Sequence, residues 1–357
     1  MSQKSTKVES LNKSSEKCVE SGFENEDGKK IIQKSIETVE ERVEQKNEAS
    51  KACHETTISK SKHIKGVSRD CKSPYLLREV EITNRYSKEE NALWGYISNK
   101  EVIFETSNGA MTEARFFKTL KPGNRIYGEI IDCWAAVLNE EEKLRSPDPL
   151  YRLFCGHRVF LKWMFTAPKT DESIRLVALT KMMFEAVGRI ENMRDLKGYD
   201  IVIIPILEND HFYVMGFDLK NPGIYLLDNM DKDETIVSIK DHQDYYKKDT
   251  PYKVKRMFVK YLEKFQHVKA DNMSMQKVTR VDLEWATIGD IIDCGVFAMR
   301  HMEMFMGSHR KTFDCGFKTS EKQVKTQIQT LRKKYACRIL LSDINVQKQK
   351  LLAKVGL

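Results

Sequence analysis

Apolar residues are sparse in the first 73 positions of the chain and become regular after them. Residues 1–73 are rich in Lys, Glu and Ser, and Phe23 is their only aromatic residue. Such a segment buries too little apolar surface to offset the conformational entropy lost on ordering, so we predict a disordered tail. Apolar residues at near-helical spacing over 30–46 are compatible with a short helix that is marginal in isolation.

Helical spacing of apolar residues begins beyond that tail. Positions three and four apart predict helices over residues 126–139, 172–194 and 251–268. An apolar helix is predicted over 295–306, with Gly307 ending it, and a basic helical region over 324–355 follows. We therefore expect a folded domain over residues 74–345 and a basic C-terminal extension over 346–357.

Three β-rich runs lie between these helices. They cover residues 200–207, 212–219 and 223–227, and the last two are separated by the turn signal Lys220-Asn221-Pro222. We predict an antiparallel hairpin beside a first, partly buried strand. Together with the helices, this pattern is typical of an α+β fold.

Charge and cysteine content narrow the class of protein. The formal net charge of +8 is concentrated in residues 318–357, where ten Lys or Arg residues face only two acidic ones. A solvated helix face explains this excess, and binding to an acidic partner or nucleic acid stays open. Eight scattered cysteines show no metal-type pairing, so we expect free thiols. No run approaches the ~20 apolar residues of a membrane span, and no secretory signal is evident, so a nuclear or cytoplasmic location is expected.

His211 and Asp228 flank the predicted hairpin, one just before its first strand and the other just after its second. A hairpin that turns near residue 221 returns residue 228 to the neighbourhood of residue 211. A carboxylate beside an imidazole accepts its N–H, fixes its tautomer and stabilises the imidazolium that forms when the base takes a proton. The pair therefore predicts a general base with an orienting acid.

Cys294 lies at the entry to the apolar helix and is followed at once by Gly295. Free backbone N–H groups and the positive end of the helix dipole favour a thiolate there. Gly295 lets another segment approach closely, and the N–H groups around Cys294 can bind the oxyanion of an acyl-transfer intermediate. Asp-Cys-Gly alone is not diagnostic, since it recurs around Cys315, which we interpret as a loop residue; Cys133 is interpreted as a core residue.

The chain order His, Asp, Cys, with Asp-Cys-Gly opening a buried helix, resembles the ubiquitin-like-protein-specific (SUMO-type) cysteine proteases. The stretches 121–139, 282–307 and 331–345 look like the plant branch of that family, which is often encoded by mobile elements. The resemblance covers residues 74–345. It implies a papain-like α+β fold with a short antiparallel sheet and a buried helix that carries the nucleophile.

The resemblance also implies roles for residues around the nucleophile. Family members place a glutamine six residues before the cysteine as an oxyanion donor, whereas this chain has Ile288 there. Thr287 or a backbone N–H near Gly295 is the expected substitute. Phe212 takes the place of the tryptophan that usually follows the histidine, and we expect Phe212 and Trp285 to contact the substrate.

The resemblance implies a cysteine peptidase that hydrolyses the peptide or isopeptide bond after the C-terminal glycine of a ubiquitin-like modifier. In it Cys294 is the nucleophile, His211 the base and Asp228 the acid that orients His211. The expected partners are the modifier and its conjugates, and the protein is expected to be a monomer that binds no membrane.

Two other functions remain open from the sequence. One is a catalytically weak or inactive modifier-binding adaptor of the same fold, which the missing glutamine favours; the other is an acyltransferase with the same residue order. No cofactor or metal is expected, because His301 and Glu303, two residues apart, lie on different faces of their helix and a third ligand is not evident.

Overall fold

The computed structural model of the chain describes residues 79–97, 101–143, 151–166, 171–230, 249–283, 285, 292–307 and 313–357. The predicted tail over 1–73 and the short helix over 30–46 lie outside the described residues. In chain order, the helices of the described part are α1 (Lys88–Tyr96), α2 (Ala114–Phe117), α3 (Gly128–Lys143), α4 (Trp163–Thr166), α5 (Glu172–Ala186), α6 (Thr250–Lys264), α7 (Ala270–Met275), α8 (Cys294–Met304), α9 (Glu321–Leu340) and α10 (Lys348–Lys354). The strands are β1 (Val102–Glu105), β2 (Met111–Glu113), β3 (Arg152–Phe154), β4 (Ile201–Glu208), β5 (His211–Asp218), β6 (Gly223–Leu227) and β7 (Val278–Arg280).

The strands of the described part form two sheets. Strands β1 and β2 make a small antiparallel pair, and the larger sheet has the order β3-β4-β5-β6-β7. The pairs β4–β5 and β5–β6 are antiparallel, whereas β3 and β7 join the two edges in parallel. The predicted hairpin is therefore the centre of a mixed five-stranded sheet.

Both faces of the larger sheet are covered by helices. On β4, Ile201 and Ile203 pack with α3, α8 and α9, while Val202 and Ile204 pack on the opposite face with α5, α6 and α7. A strand that is buried on both faces has a continuous run of apolar residues instead of alternating apolar and polar residues. That is the pattern of residues 200–207.

Helix α8 lies inside this double layer, and each of its residues is buried. It packs across β5, and the indole Nε1 of Trp134 on α3 donates a hydrogen bond to the Met299 carbonyl, 3.1 Å away. Gly216 on β5 leaves room for the ring of Phe305, which follows the helix. The helix is thereby held on two sides, and its first residue, Cys294, is held with it.

Two predicted helices differ in extent from the observed ones. The helix predicted over 172–194 ends at Ala186, because Gly188 and Arg189 adopt positive φ values of 71° and 61° that a helix cannot continue through. The basic region over 324–355 forms two helices, α9 and α10, and α10 places Leu351 in the core. The division into a domain ending at 345 and a separate extension stays a prediction. Among the helices of the described ranges, none combines the length and the apolar character that crossing a membrane requires.

Candidate active site

His211 is placed by a two-residue turn between β4 and β5. Glu208 pairs with His211 across the turn, and Asn209 and Asp210 between them have φ values of 49° and 64°. Positive φ at both central positions is the mark of a type I′ turn, whose twist matches that of the flanking strands. Asn and Asp tolerate this conformation better than other non-glycine residues. The imidazole therefore stands at the first position of the central strand and is 1% exposed.

Asp228 follows β6 and reaches back to this imidazole. Its Oδ1 lies 2.8 Å from Nε2 of His211 and accepts a second hydrogen bond from the backbone N–H of Met230 at 3.1 Å. Its Oδ2 lies 3.8 Å from a guanidinium nitrogen of Arg280 on β7. Because the carboxylate is fixed from three directions, it can orient the imidazole, and the predicted juxtaposition of the two residues is present.

Cys294 is the first residue of α8 and is 3% exposed. The N–H groups of Val296 and Phe297 both point to the Asp293 carbonyl, which closes the first turn of the helix. A Cβ built on Gly295 would lie only 2.7 Å from Cβ of Ile126, so the segment before α3 packs directly against the backbone beside the nucleophile. This close approach explains why glycine follows the cysteine.

The imidazole of His211 joins the carboxylate to the thiol. Burial disfavours the imidazolium, but hydrogen bonds with Asp228 and with Cys294, together with their charges, outweigh burial and raise the pKa of His211 to about 9. Since Nε2 faces Asp228, the other ring nitrogen is the one available to the sulfur. At neutral pH the site therefore holds a protonated imidazole beside the Asp228 carboxylate.

Two of the other predicted site residues, Phe212 and Trp285, are buried in the structure. Phe212 is 3% exposed and meets the ring of His157 edge-on, with the ring centroids 6.5 Å apart. Trp285 stacks on Phe297 within the core at 5.0 Å and is 5% exposed, so most of its ring packs against the protein itself. Thr287 and Ile288 lie outside the described residues. The substrate-binding roles of Phe212 and Trp285 stay predictions.

The other cysteines of the described part are buried, and two of them, Cys133 and Cys315, can be compared with Cys294. Cys133 on α3 donates a hydrogen bond to Oγ1 of Thr112 at 3.2 Å, and burial raises its pKa. Cys315 lies in a loop, as interpreted from the sequence, and burial raises its pKa well above the usual value. Both thiols are therefore poor nucleophiles.

His301 and Glu303, which could suggest a metal site, make different contacts. Glu303 receives a hydrogen bond from Arg300 at 2.8 Å, whereas His301 packs against Trp285 with ring centroids 5.6 Å apart. Burial lowers the pKa of His301 to about 3, so its ring is neutral at ordinary pH. Within the described ranges no cluster of three His, Cys, Asp or Glu side chains suits a metal ion.

Arg332 on α9 is a residue near the site that the sequence analysis did not single out. Its side chain is 1% exposed, and its guanidinium binds Asp293, directly before the nucleophile. In the sequence it looks like one of ten cations in a basic region. The signal that distinguishes it is its position four residues after Ile328 and three before Tyr335, both on the buried face of α9.

A family model described as "Ulp1 protease family, C-terminal catalytic domain" matches residues 160–343, just over half of the chain. The chain belongs to the Ulp1 protease family. The matched range contains His211, Asp228 and Cys294, and the domain is accordingly a cysteine protease domain of α+β fold, which confirms the predicted fold class and family. The narrower resemblance to the plant branch associated with mobile elements stays a prediction. Comparison with curated proteins found no match.

Solved structures of Ulp1 proteases are similar to the chain. The SUMO protease Ulp1 with its catalytic cysteine oxidised to a sulfenic acid is 13% identical with a TM-score of 0.51, over 74% of this chain and 99% of that chain. The Ulp1 protease domain in complex with Smt3, the yeast orthologue of SUMO, is 13% identical with a TM-score of 0.48 over the same shares. The Ulp1-like SUMO protease domain of Chaetomium thermophilum is 16% identical with a TM-score of 0.48, over 74% of this chain and 93% of that chain. At these identities the similarity concerns the fold alone.

Proposed function

We propose that this Ulp1-family domain hydrolyses the peptide or isopeptide bond after the C-terminal glycine of a SUMO-type modifier, with Cys294 as nucleophile. The observation that carries the proposal is the position of His211, whose Nε2 lies 2.8 Å from the Asp228 carboxylate and whose pKa is raised by Asp228 and by Cys294 together. Family membership supplies the substrate class. The nucleus or cytoplasm, where a thiol stays reduced, is the compartment that suits such a nucleophile.

The chemistry divides into two steps. The Cys294 thiolate attacks the glycine carbonyl carbon, the C–N bond breaks, and the imidazolium of His211 gives its proton to the leaving amine, which leaves a thioester on the sulfur. His211, now neutral, then takes a proton from water as the water oxygen attacks the thioester, and the thiolate departs with the modifier's carboxylate released. Asp228 stabilises the imidazolium in both steps.

The oxyanion of each step needs hydrogen-bond donors near Cys294. Helix α8 begins at Cys294, and the helix dipole favours negative charge at that end. Losing one side-chain donor typically costs about 100–1000-fold in turnover, so Ile288 in place of the family glutamine predicts a slow enzyme unless Thr287 substitutes. Turnover is therefore expected to be low.

The test is the reaction of the purified chain with a panel of SUMO, ubiquitin and related modifiers that carry a thiol-reactive warhead at the C-terminal glycine. We expect a covalent adduct with a SUMO-type probe that is lost in Cys294→Ser and kept in Cys315→Ser. Cys315→Ser is the matched control because it changes the second Asp-Cys-Gly. If no probe forms an adduct with folded wild-type protein, the peptidase proposal is wrong, and the modifier-binding adaptor becomes the better function.

A further inference from the structure

The guanidinium of Arg332 is the most extensively bonded buried charge beside the site. Its Nε and Nη2 both donate to Oδ1 of Asp293, at 2.8 Å and 2.5 Å. Asp293 is the residue directly before Cys294 and the first residue outside α8. A paired, charge-assisted contact of this kind fixes both the position and the angle of the carboxylate. The arginine on α9 thus holds the chain at the point where the nucleophile helix begins.

The same guanidinium also holds the segment that precedes α3. It donates to the carbonyl oxygens of Thr119 and Asn124, each at 2.9 Å, and to that of Lys121 at 3.4 Å. Two residues after Asn124 comes Ile126, which packs against Gly295 beside the nucleophile. One side chain therefore connects two of the segments between which Cys294 lies.

Charge adds a second effect to this geometry. Asp293 is the residue directly before Cys294, and its negative charge would oppose a thiolate there, as any like charge does. Arg332, whose side chain is 1% exposed, supplies a positive charge against it, and a buried charge acts more strongly than one in solvent. The charged or titratable groups that cluster with His211 include Asp228, Arg280 and His301.

We propose that Arg332 is a positioning residue for Cys294: it fixes Asp293 and the segment before α3, and it offsets the negative charge of Asp293. This role rests on the proposed cysteine chemistry. A lysine cannot take it over, because an ammonium has neither the planar fork that donates twice to one carboxylate nor the additional donors that reach the carbonyls of the segment before α3.

The test measures the thiol without any modifier. Folded variants are treated with iodoacetamide at neutral pH, and alkylation of the Cys294 peptide is followed by mass spectrometry, so that the other cysteines do not interfere. The variants are Arg332→Met, Asp293→Asn and their combination. Arg338→Met is the matched control, since Arg338 lies on the same helix but is 43% exposed and pairs with Glu141 at the surface.

Arg332→Met leaves the Asp293 charge unopposed, and we expect alkylation of Cys294 to slow about tenfold, the effect of one neighbouring like charge. Asp293→Asn keeps the Oδ1 acceptor and is expected to react at least as fast as wild type. The combined variant should regain the part of the lost rate that is due to charge, whereas Arg338→Met should not change the rate. A combined variant as slow as Arg332→Met would mean that Arg332 serves packing alone and would overturn the electrostatic role.

A second comparison covers the case in which Arg332→Met does not fold. Asp293→Leu removes the acceptor that Arg332 holds, while Asp293→Asn keeps it. We expect Asp293→Leu to slow alkylation and Asp293→Asn not to, with both folded by circular dichroism. Equal rates in the two variants would overturn the positioning role. Neither result depends on modifier recognition, so failure of the warhead panel and failure of this proposal are distinguishable.

Discussion

His211 carries a proton at neutral pH although it is almost wholly buried. Burial alone would favour the neutral ring, as it does for His301, whose pKa falls to about 3. The difference lies in the partners, because Asp228 and Cys294 hydrogen-bond with His211 and raise its pKa to about 9. Two histidines in the same core are therefore held in opposite protonation states by what surrounds them.

This protonation predicts a pH-dependent stability. The pKa of His211 in the fold, about 9, lies above the value of about 6.5 in an unfolded chain. The stabilisation is therefore fully present below pH 6.5 and is lost as pH rises through 9. We expect His211→Gln to lower the free energy of unfolding by up to about 3 kcal/mol at pH 6, with the difference from wild type shrinking towards pH 9.5.

Urea unfolding of both proteins in the presence of a reductant, at intervals between pH 6 and pH 9.5, measures this difference. Lys322→Gln, at an exposed position of α9, is the control, and its difference from wild type is expected to be constant. A difference for His211→Gln that does not vary with pH would contradict the raised pKa.

Gly295 is predicted to tolerate no side chain. A Cβ there would lie 2.7 Å from Cβ and 3.3 Å from Cγ2 of Ile126, closer than atoms pack. We expect Gly295→Ala to destabilise the domain by about 1–3 kcal/mol, as overpacking does, and to slow adduct formation because Cys294 shifts. Thermal unfolding and the warhead reaction measure the two effects. Gly95→Ala is the control, since nothing lies within 4 Å of its Cβ, and wild-type behaviour of Gly295→Ala would contradict the close approach.

At the scale of elements, helix α8 is held by a buried charge network on the side away from the sheet. Arg300 donates to Glu303 at 2.8 Å and to the carbonyls of Val80 and Cys315, and Tyr335 on α9 donates to the same carboxylate at 3.0 Å. The network connects α8 to α9 and to the first described residues of the chain. It therefore fixes the position of α8 in the core.

Glu303→Ala removes the carboxylate and leaves Arg300 buried without its charge partner. Breaking a buried pair in this way typically costs about 3–5 kcal/mol of unfolding free energy, and we expect a loss of that size. Urea denaturation measures it. Glu321→Ala, which breaks the exposed pair with Lys325, is the control and should leave stability close to wild type. A loss no larger than that of the control would mean that the network does not hold α8.

The elements that the sequence predicted well are those whose signal is local. Residues 223–227 form a strand with the predicted bounds, and the turn before it was marked by Asn221 and Pro222. The parallel pairing of β3 and β7 with the sheet edges was missed, because each strand has three residues and its partner lies far along the chain. The hairpin that joins His211 to Asp228 was predictable for the same local reason.

The burial of Arg332 beside the site could not be predicted from the sequence. Its neighbours Lys333 and Lys334 are also cations, and nothing in composition separates a buried guanidinium from a solvated one. Burial here depends on Asp293, 39 residues away, and on carbonyls more than 200 residues away. Contacts set by tertiary packing leave only the weak signal of a charge on the apolar face of a helix.

At the scale of the whole molecule, the positive charge of the C-terminal region is largely matched by acids of the same domain. Lys334 pairs with Glu90 at 3.1 Å and Arg338 with Glu141 at 2.5 Å, and both Lys350 and Lys354 reach Glu101. Cations paired in this way have little free charge to offer phosphates. The net charge of the chain therefore overstates the field at this surface.

We expect the protein to bind duplex DNA only weakly, with no saturation in the micromolar range at 150 mM salt. Fluorescence anisotropy of a labelled duplex at 50, 150 and 300 mM salt measures this. Lys322→Glu, an exposed position on α9, is the comparison variant and should change the signal little. Tight binding that falls steeply with salt and is weakened by Lys322→Glu would instead indicate a phosphate-binding surface.

The order of the site residues along the chain has a consequence for synthesis. Arg332 lies 121 residues after His211, so at ordinary translation rates it is added roughly ten seconds later. If Arg332 positions Cys294 as proposed, a nascent chain that already contains the histidine, the aspartate and the cysteine still lacks the side chain that fixes the nucleophile. The reactivity of Cys294 is then expected to appear only after α9 has been made, so an unfinished chain carries an unreactive thiol.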